Sequence, residues 1–254
     1  QDQALHPFTT TFATDDVRLT TRLLSNRPQS AVFSSIHEGG HALYEQGSPA
    51  HFDRTALAGG ATMALHESQS RLWENMLGRS KAFWQHHFPI LRAFFPEPLA
   101  DVNLEQFYRA VNIVRPDFIR VEADEVTYNM HIFVRFELEQ ALLSGALAVK
   151  DVPEAWNAKY QDYLGITPRN DAEGCLQDVH WCSGLVGYFP TYALGNLIAA
   201  QLYHRMKADL PGVEEAFARG EFLPLLTWMR QHVHNHGAKF TAAELLTREL
   251  GEEI

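Results

Sequence analysis

His37-Glu38-Gly39-Gly40-His41 sets two imidazoles and a carboxylate within one five-residue HExxH segment. At about 100° per residue in an α-helix, His37 and His41 stand about 40° apart, so both rings can reach one ion, and Glu38 flanks them about 60° beyond His41. Neutral imidazole nitrogen suits Zn²⁺, and a catalytic zinc takes three protein ligands and leaves the fourth position to water. The chemistry on offer is metal-assisted hydrolysis with Glu38 as general base. A third ligand must come from elsewhere in the chain.

Glu67, in His66-Glu67-Ser68-Gln69, opens a helical segment far enough along the chain to return beside the first. Glu67 has two readings, the third ligand of a His₂Glu site or an i,i+4 surface partner of Arg71 worth a few tenths of a kcal/mol. Further on, Arg120, Asp124, Tyr128, His131 and Arg135 would share an arc of about 80° on a helix over 117–146 whose other positions are mostly apolar. Burying such groups unpaired costs several kcal/mol, so the stripe faces either a hydrogen-bonded network, with Arg120 and Asp124 joined at i,i+4, or a solvated cleft. Asp178-Val179-His180-Trp181, followed by Gly184 and Gly187-Tyr188-Phe189-Pro190, reads as a glycine-rich loop that presents His180 and Tyr188 at a pocket rim. His86-His87 and His232-Val233-His234-Asn235-His236 read as solvated helix ends, and Glu252-Glu253 as an acidic tail without a role.

The elements that must position these residues are helices. Apolar periodicity predicts them over 30–46, 63–85, 103–112, 117–146, 151–163, 191–208, 213–232 and 241–250, so the expected class is mainly α, with 1–254 as a single catalytic domain. The Pro-bearing stretches at 89–98 and 165–170 read as interhelical loops. The first 25 residues, rich in Thr, Phe and Val, are expected to supply short strands of a small β-sheet. On the HExxH helix, Val32, Ile36 and Leu43 lie opposite the histidines while Phe33 and Tyr44 border them, the pattern of a buried central helix. Gly39 and Gly40 each cost about 1 kcal/mol against Ala in such a helix, which implies close backbone approach.

Composition narrows the rest. With 254 residues, 46% hydrophobic and 20% charged, the chain can build one substantial core. A formal charge of -10 opposes binding to phosphate backbones or anionic lipid, so neither nucleic acid nor membrane is an expected partner. No apolar run approaches the roughly 18–20 residues of a membrane span, Gln1-Asp2-Gln3 is unlike a secretory signal, and cytoplasm is the expected compartment. Cys175 and Cys182 are too few for a disulfide framework and read as reduced, buried thiols.

Taken together, His6-Pro7-Phe8, Asp16-Val17-Arg18-Leu19-Thr20, the HExxH segment, His66-Glu67-Ser68-Gln69, Ile119-Arg120-Val121-Glu122-Ala123-Asp124 and Gly187-Tyr188-Phe189-Pro190 resemble the M32 family of metallocarboxypeptidases. The resemblance implies a multi-helical, grooved metallopeptidase fold and release of single residues from peptide C-termini with broad tolerance. It also implies one divalent ion per chain, Zn²⁺ or alternatively Co²⁺, and a homodimer. Carried onto this sequence, His37, His41 and Glu67 match the metal ligands, Glu38 the general acid/base, and Arg120 the group that pairs with the substrate's terminal carboxylate. His131 and Arg135, sharing its stripe, are expected at the substrate as well. Tyr188, with His180 upstream, and Tyr128 compete as donors to the developing oxyanion. Asp16 is the expected acceptor behind a ligand imidazole. Family members are about twice this long, so the resemblance implies a further N-terminal half that would wall one side of the groove. Its absence keeps two other readings in play, an open-groove endopeptidase and a catalytically impaired metal-binding remnant acting in assembly.

Overall fold

The computed structural model describes residues 2–4, 7–24 and 28–251, which leaves His6 and the Glu252-Glu253 pair outside. Near the N-terminus the expected sheet forms from β1 (Asp2–Gln3), β2 (Thr9–Ala13) and β3 (Asp16–Thr21), in the order β1-β3-β2, with β-branched Thr and Val in the two longer strands. A Thr14-Asp15 turn joins β2 to β3 as an antiparallel hairpin in which Thr9 faces Leu19, and β1 adds in parallel on the far side of β3. Both hairpin strands lie against α1 (Pro28–Gly47), the helix that carries HExxH.

Nine further α-helices follow among the described residues, so the mainly helical class holds: α2 (Met63–Arg71), α3 (Lys81–Phe94), α4 (Leu104–Val111), α5 (Tyr128–Leu143), α6 (Val152–Leu164), α7 (Pro190–Asp209), α8 (Val213–Ala218), α9 (Leu223–His232) and α10 (Ala242–Leu250). Four boundaries differ from the sequence expectation, each for a local reason. The helix expected over 63–85 is two helices. A π-helical turn, Leu72–Leu77, follows α2 and closes with Gly78 N–H donating to the Trp73 carbonyl (2.8 Å), after which Ser80 caps α3 by accepting from the Phe83 amide (3.1 Å). Pro89 lies inside α3 and not in a loop. The stretch 213–232 is divided into α8 and α9 at Gly220, whose φ of +81° is the left-handed region glycine tolerates.

The largest correction concerns 117–146, where α5 begins only at Tyr128. Asp124 explains the delay: its carboxylate accepts from the amides of Arg115, Val126 and Thr127 and from the Thr127 hydroxyl, which folds a turn where a helix was expected. Arg120 therefore sits in a separate 3₁₀ turn (Arg120–Glu122), and the polar stripe is a helical face only from Tyr128 onward.

The chain folds as two compact units, one formed by residues 1–111 with 194–254 and the other by 112–193. Leu65, Leu72, Ile198, Met206, Phe217 and Leu225 centre the core of the first. Val134, Leu138, Trp156, Tyr160 and Leu164 pack the second, beside a cluster of Tyr128, Ile132 and Phe189. Each such side chain contributes about 1.5–3 kcal/mol by leaving water. Both cysteines are free thiols as expected, although Cys182 is exposed and Cys175 half-buried.

Candidate metal centre

In the first unit, α1 and α2 cross at Gly40. A Cβ there would stand 2.7 Å from the Gln69 carbonyl oxygen and the Ser70 Cα, so only glycine lets the two backbones meet this closely. A second glycine serves the same corner, because a Cβ at Gly195 on α7 would lie 2.6 Å from Glu67 Cγ. Gly39 has no such role, with nothing within 4 Å of its Cβ position.

This approach delivers Glu67 to the histidines. His37 Nε2 and His41 Nε2 lie 3.7 and 3.6 Å from Glu67 Oε2, and the candidate ligand atoms of the three residues all fall within 4.8 Å of one another. A tetrahedral ion with arms of about 2.0–2.2 Å has ligand–ligand edges of about 3.3–3.6 Å, which the two His–Glu67 distances approach. Glu67 Oε1 accepts from Arg71 Nε (2.8 Å) in a buried pair and not the surface pair expected, while Oε2 faces the imidazoles. Burial alone would raise the Glu67 pKa, but His37 and Arg71, with a contribution from His41, hold it well below the ordinary carboxylate range.

Each imidazole is held from behind. His37 Nδ1 lies 2.9 Å from Glu74 Oε2, and His41 Nδ1 lies 2.7 Å from His66 Nδ1, whose Nε2 is 2.5 Å from Glu45 Oε1. Were the Nδ1 proton of each histidine donated backward, both Nε2 lone pairs would face an anionic oxygen. Three acceptors facing one point would suit a cation among them. The raised His37 pKa expresses the same demand through a proton: burial opposes the charged ring, and Glu67 and Glu74 overcome it. At His41 burial prevails and its pKa is lowered.

Asp16 is not the acceptor behind either ring. Both of its oxygens take 2.7 Å hydrogen bonds from Arg18 on the exposed face of β3, while Glu74 and His66 occupy that place. The Glu67, Arg71, Glu74 spacing of i, i+4 and i+7 on one helical face was the signal available for Glu74. Glu38 is buried, and Thr9 on β2 donates to its Oε2 (2.7 Å) and reaches its carbonyl (2.9 Å), so the small sheet holds the expected base. Thr9 carried no signal in the sequence.

His234, read above as solvated, is 0% exposed, pairs with Gln69 Oε1 through Nε2 (3.0 Å) and packs its ring 5.2 Å from that of Tyr44. His232 and His236 meet Glu249 at 3.0 and 3.2 Å, and His87 stacks on Phe222 within the first unit, so neither histidine group is a wet helix end.

The second unit gathers the remaining candidates around Asp178. Asp178 Oδ1 accepts from Arg120 Nε (3.0 Å) and Nη2 (2.7 Å), and Oδ2 accepts from Arg135 Nε (2.6 Å). Burial would raise its pKa, yet Arg135 and Arg120 outweigh that and hold it at about 2. The partner of Arg120 is thus Asp178 and not Asp124. His131 and Arg135, expected at the substrate, are 0% exposed: His131 Nδ1 lies 3.0 Å from the Tyr160 hydroxyl, and Arg135 Nη1 donates to the His131 carbonyl (2.8 Å). Of the two readings of the stripe, the structure realises the hydrogen-bonded network. Burial, followed by the charges of Arg135 and Arg120, drives the His131 pKa down to about 3, so the ring is neutral.

Tyr128 is 3% exposed and its hydroxyl accepts from Arg120 Nη1 (2.8 Å). His180 Nε2 lies 2.8 Å from the Tyr192 hydroxyl, with the Tyr188 ring 5.4 Å from its own. The half-buried Tyr188 follows Gly187, whose amide donates to Glu139 Oε1 (2.7 Å) while Trp181 Nε1 donates to Oε2 (2.7 Å). Glu139 therefore anchors the glycine-rich loop at two points.

The sequence model of the family described as Carboxypeptidase Taq (M32) metallopeptidase matches residues 1–254. The chain is 50% identical over 251 residues to Thermostable carboxypeptidase 1 of Thermus thermophilus, covering 99% of this chain and 49% of that one. Carboxypeptidase 1 of Bacillus subtilis is 47% identical over 253 residues, covering 100% and 50%. The crystal structure of the M32 carboxypeptidase from Deinococcus radiodurans R1 superposes with a TM-score of 0.96 at 48% identity, over 99% of this chain and 51% of that one. This chain belongs to the M32 family of metallopeptidases, and it spans about half the length of the curated relatives it matches. Among the described residues, no helix is long and apolar enough to cross a membrane.

Proposed function

We propose that this chain is a metal-dependent carboxypeptidase that removes single C-terminal residues from peptides with broad side-chain tolerance. The observation that carries the reading is the convergence of His37, His41 and Glu67 on one point, with Glu38 buried on the helix that carries the two histidines. Those three residues would hold one divalent ion, with zinc favoured because two imidazoles and a carboxylate form one of its catalytic donor sets, and Co²⁺ as the alternative. When bound, such an ion supplies Lewis acidity toward the scissile carbonyl and acidifies water toward a pKa of about 7.

The chain's own residues do the rest. Thr9 holds Glu38 Oε2, which leaves Oε1 to take the proton of the attacking water and return it to the leaving amine. A phenol hydrogen bond to the developing oxyanion is worth roughly 3–4 kcal/mol. Tyr188, on the loop beside His180, and Tyr128, whose hydroxyl accepts from Arg120 and keeps its own proton to donate, are the two donors on offer. Arg120 directs three of its five N–H groups to Asp178 and Tyr128, and the remaining pair on Nη1 and Nη2 would grip a terminal carboxylate. His131 and Arg135 support this role by holding the Arg120–Asp178 network. Cytoplasmic location and a homodimer, the latter measurable by light scattering, belong to the same proposal.

One observation favours an endopeptidase instead: Arg120 is 4% exposed and already paired. Peptides with free and amidated C-termini separate the two readings. Successive loss of single residues from the free form alone, followed by mass spectrometry with metal added back, is the expected result. Equal cleavage of both forms at internal bonds would end the carboxypeptidase reading.

A further inference from the structure

Each candidate ligand imidazole can coordinate through only one nitrogen, and which one depends on where the other nitrogen places its proton. Between His41 Nδ1 and His66 Nδ1, at 2.7 Å, there is room for a single hydrogen. Glu45 decides who supplies it. Were a neutral His66 to donate from Nδ1, its Nε2 lone pair would face Glu45 Oε1 at 2.5 Å, acceptor against acceptor. With both rings neutral, the favourable arrangement runs the other way: His66 Nε2–H donates to Glu45, His66 Nδ1 accepts, and His41 donates from Nδ1 and turns its Nε2 lone pair toward Glu67.

The ring of His66 is held in the plane this relay needs. Tyr44 lies 5.2 Å away edge-on, and a Cβ at Gly60 would come within 3.1 Å of His66 Cδ2. Gly59, at a φ of +76°, brings backbone beside the Glu45 carboxylate, where a Cβ would lie 3.1 Å from Oε2. At His37 a carboxylate acts directly, since Glu74 Oε2 meets Nδ1 while Glu74 Oε1 accepts from Arg79 Nη2 (3.2 Å).

We propose that His66, backed by Glu45, is a positioning residue that fixes His41 as an Nε2 ligand, and that Glu74 does the same for His37. This inference rests on reading His37, His41 and Glu67 as a metal centre. The pair of relays makes the two ligands unequal, because His41 depends on a carboxylate one ring removed whereas His37 touches its own.

The test measures Zn²⁺ affinity by chelator competition and the visible spectrum of the Co²⁺-loaded full chain, for the wild type, His66→Leu, His66→Gln and Glu45→Ala. Thermal unfolding of the metal-free proteins confirms that each variant folds. The expected result is one ion per wild-type chain, about 10–100-fold weaker binding with an altered Co²⁺ spectrum in His66→Leu, and recovery of most affinity in His66→Gln, whose amide oxygen can accept from His41 Nδ1. Glu45→Ala should weaken binding in the same direction by less. A role in packing alone would be met by leucine and would leave the spectrum unchanged. Wild-type affinity and spectrum in His66→Leu, or equal weakness in His66→Gln, would overturn the inference. Should His66→Leu fail to fold, unaltered affinity in Glu45→Ala would overturn it equally. A wild-type chain that binds no ion would instead sink the metal-centre reading itself.

Discussion

Adjacent glycines in HExxH should respond oppositely to the same substitution. In Gly39→Ala the new methyl meets nothing within 4 Å, so the variant gains the helix propensity of alanine, about 1 kcal/mol. In Gly40→Ala the same gain is opposed by a methyl 2.7 Å from the Gln69 oxygen and the Ser70 Cα, where ordinary contact begins at 3.4 Å, a shortfall of 0.7 Å (3.4 − 2.7). Backbone on both sides leaves no side chain to swing away, and overpacking of this kind costs about 1–3 kcal/mol. Because the propensity term cancels between the two variants, the difference in their stabilities isolates the helix contact. Thermal unfolding of the metal-free proteins should place Gly39→Ala above Gly40→Ala by about 1–3 kcal/mol, which for a chain of this size is about 2–12 °C. Separation of α1 from α2 also draws Glu67 from the histidines, so Gly40→Ala should bind Zn²⁺ more weakly than Gly39→Ala. A Gly40→Ala protein as stable as Gly39→Ala would refute the close approach of these helices as the reason for glycine.

Three further outcomes are expected. Glu38→Gln should keep one metal ion per chain and lose nearly all turnover, and unchanged peptide hydrolysis in that variant would remove Glu38 from the chemistry. Glu67→Ala should lose its metal on dialysis against a weak chelator, and retained stoichiometry by elemental analysis would mean that another residue completes the site. Asp178→Asn should destabilise the protein by about 3–5 kcal/mol near neutral pH, because two buried guanidinium groups lose their counter-charge. Since the Asp178 pKa falls from 3.8 to about 2 on folding, its stabilisation is present above the higher value and disappears as pH drops through the lower one. The stability gap between wild type and Asp178→Asn, measured by denaturant titration, should therefore narrow by about 2 kcal/mol between pH ~5 and pH ~2. A gap independent of pH would contradict the charge argument.

Two kinds of information met differently with the sequence. Helical class, the N-terminal strands and the pairing of the HExxH histidines were legible because each rests on short-range pattern: apolar residues recur around α1 at helical spacing, and i,i+4 spacing brings His37 and His41 together before any tertiary contact forms. Helix ends were less legible. The Asp124 turn and the π segment after Arg71 depend on which backbone amides a side chain or a turn captures, a competition that periodicity does not register. Gly40 was legible as a contact and Gly39 looked the same, because the residue type alone does not say which neighbour will arrive.

Partner choice across the chain was decided only by folding. Arg120 meets Asp178 and not Asp124, His37 leans on Glu74 and not Asp16, and Thr9 reaches Glu38 from a strand. In each case a polar group leaving water takes the acceptor or donor that the packed helices bring nearest, whatever its separation in sequence. The amino-acid order by itself determined the elements and the set of groups able to bind a metal. Only the tertiary structure decided which of Glu67's possible partners it faces, because the crossing of α1 and α2 at Gly40 sets one carboxylate oxygen opposite two imidazoles and leaves the other for Arg71.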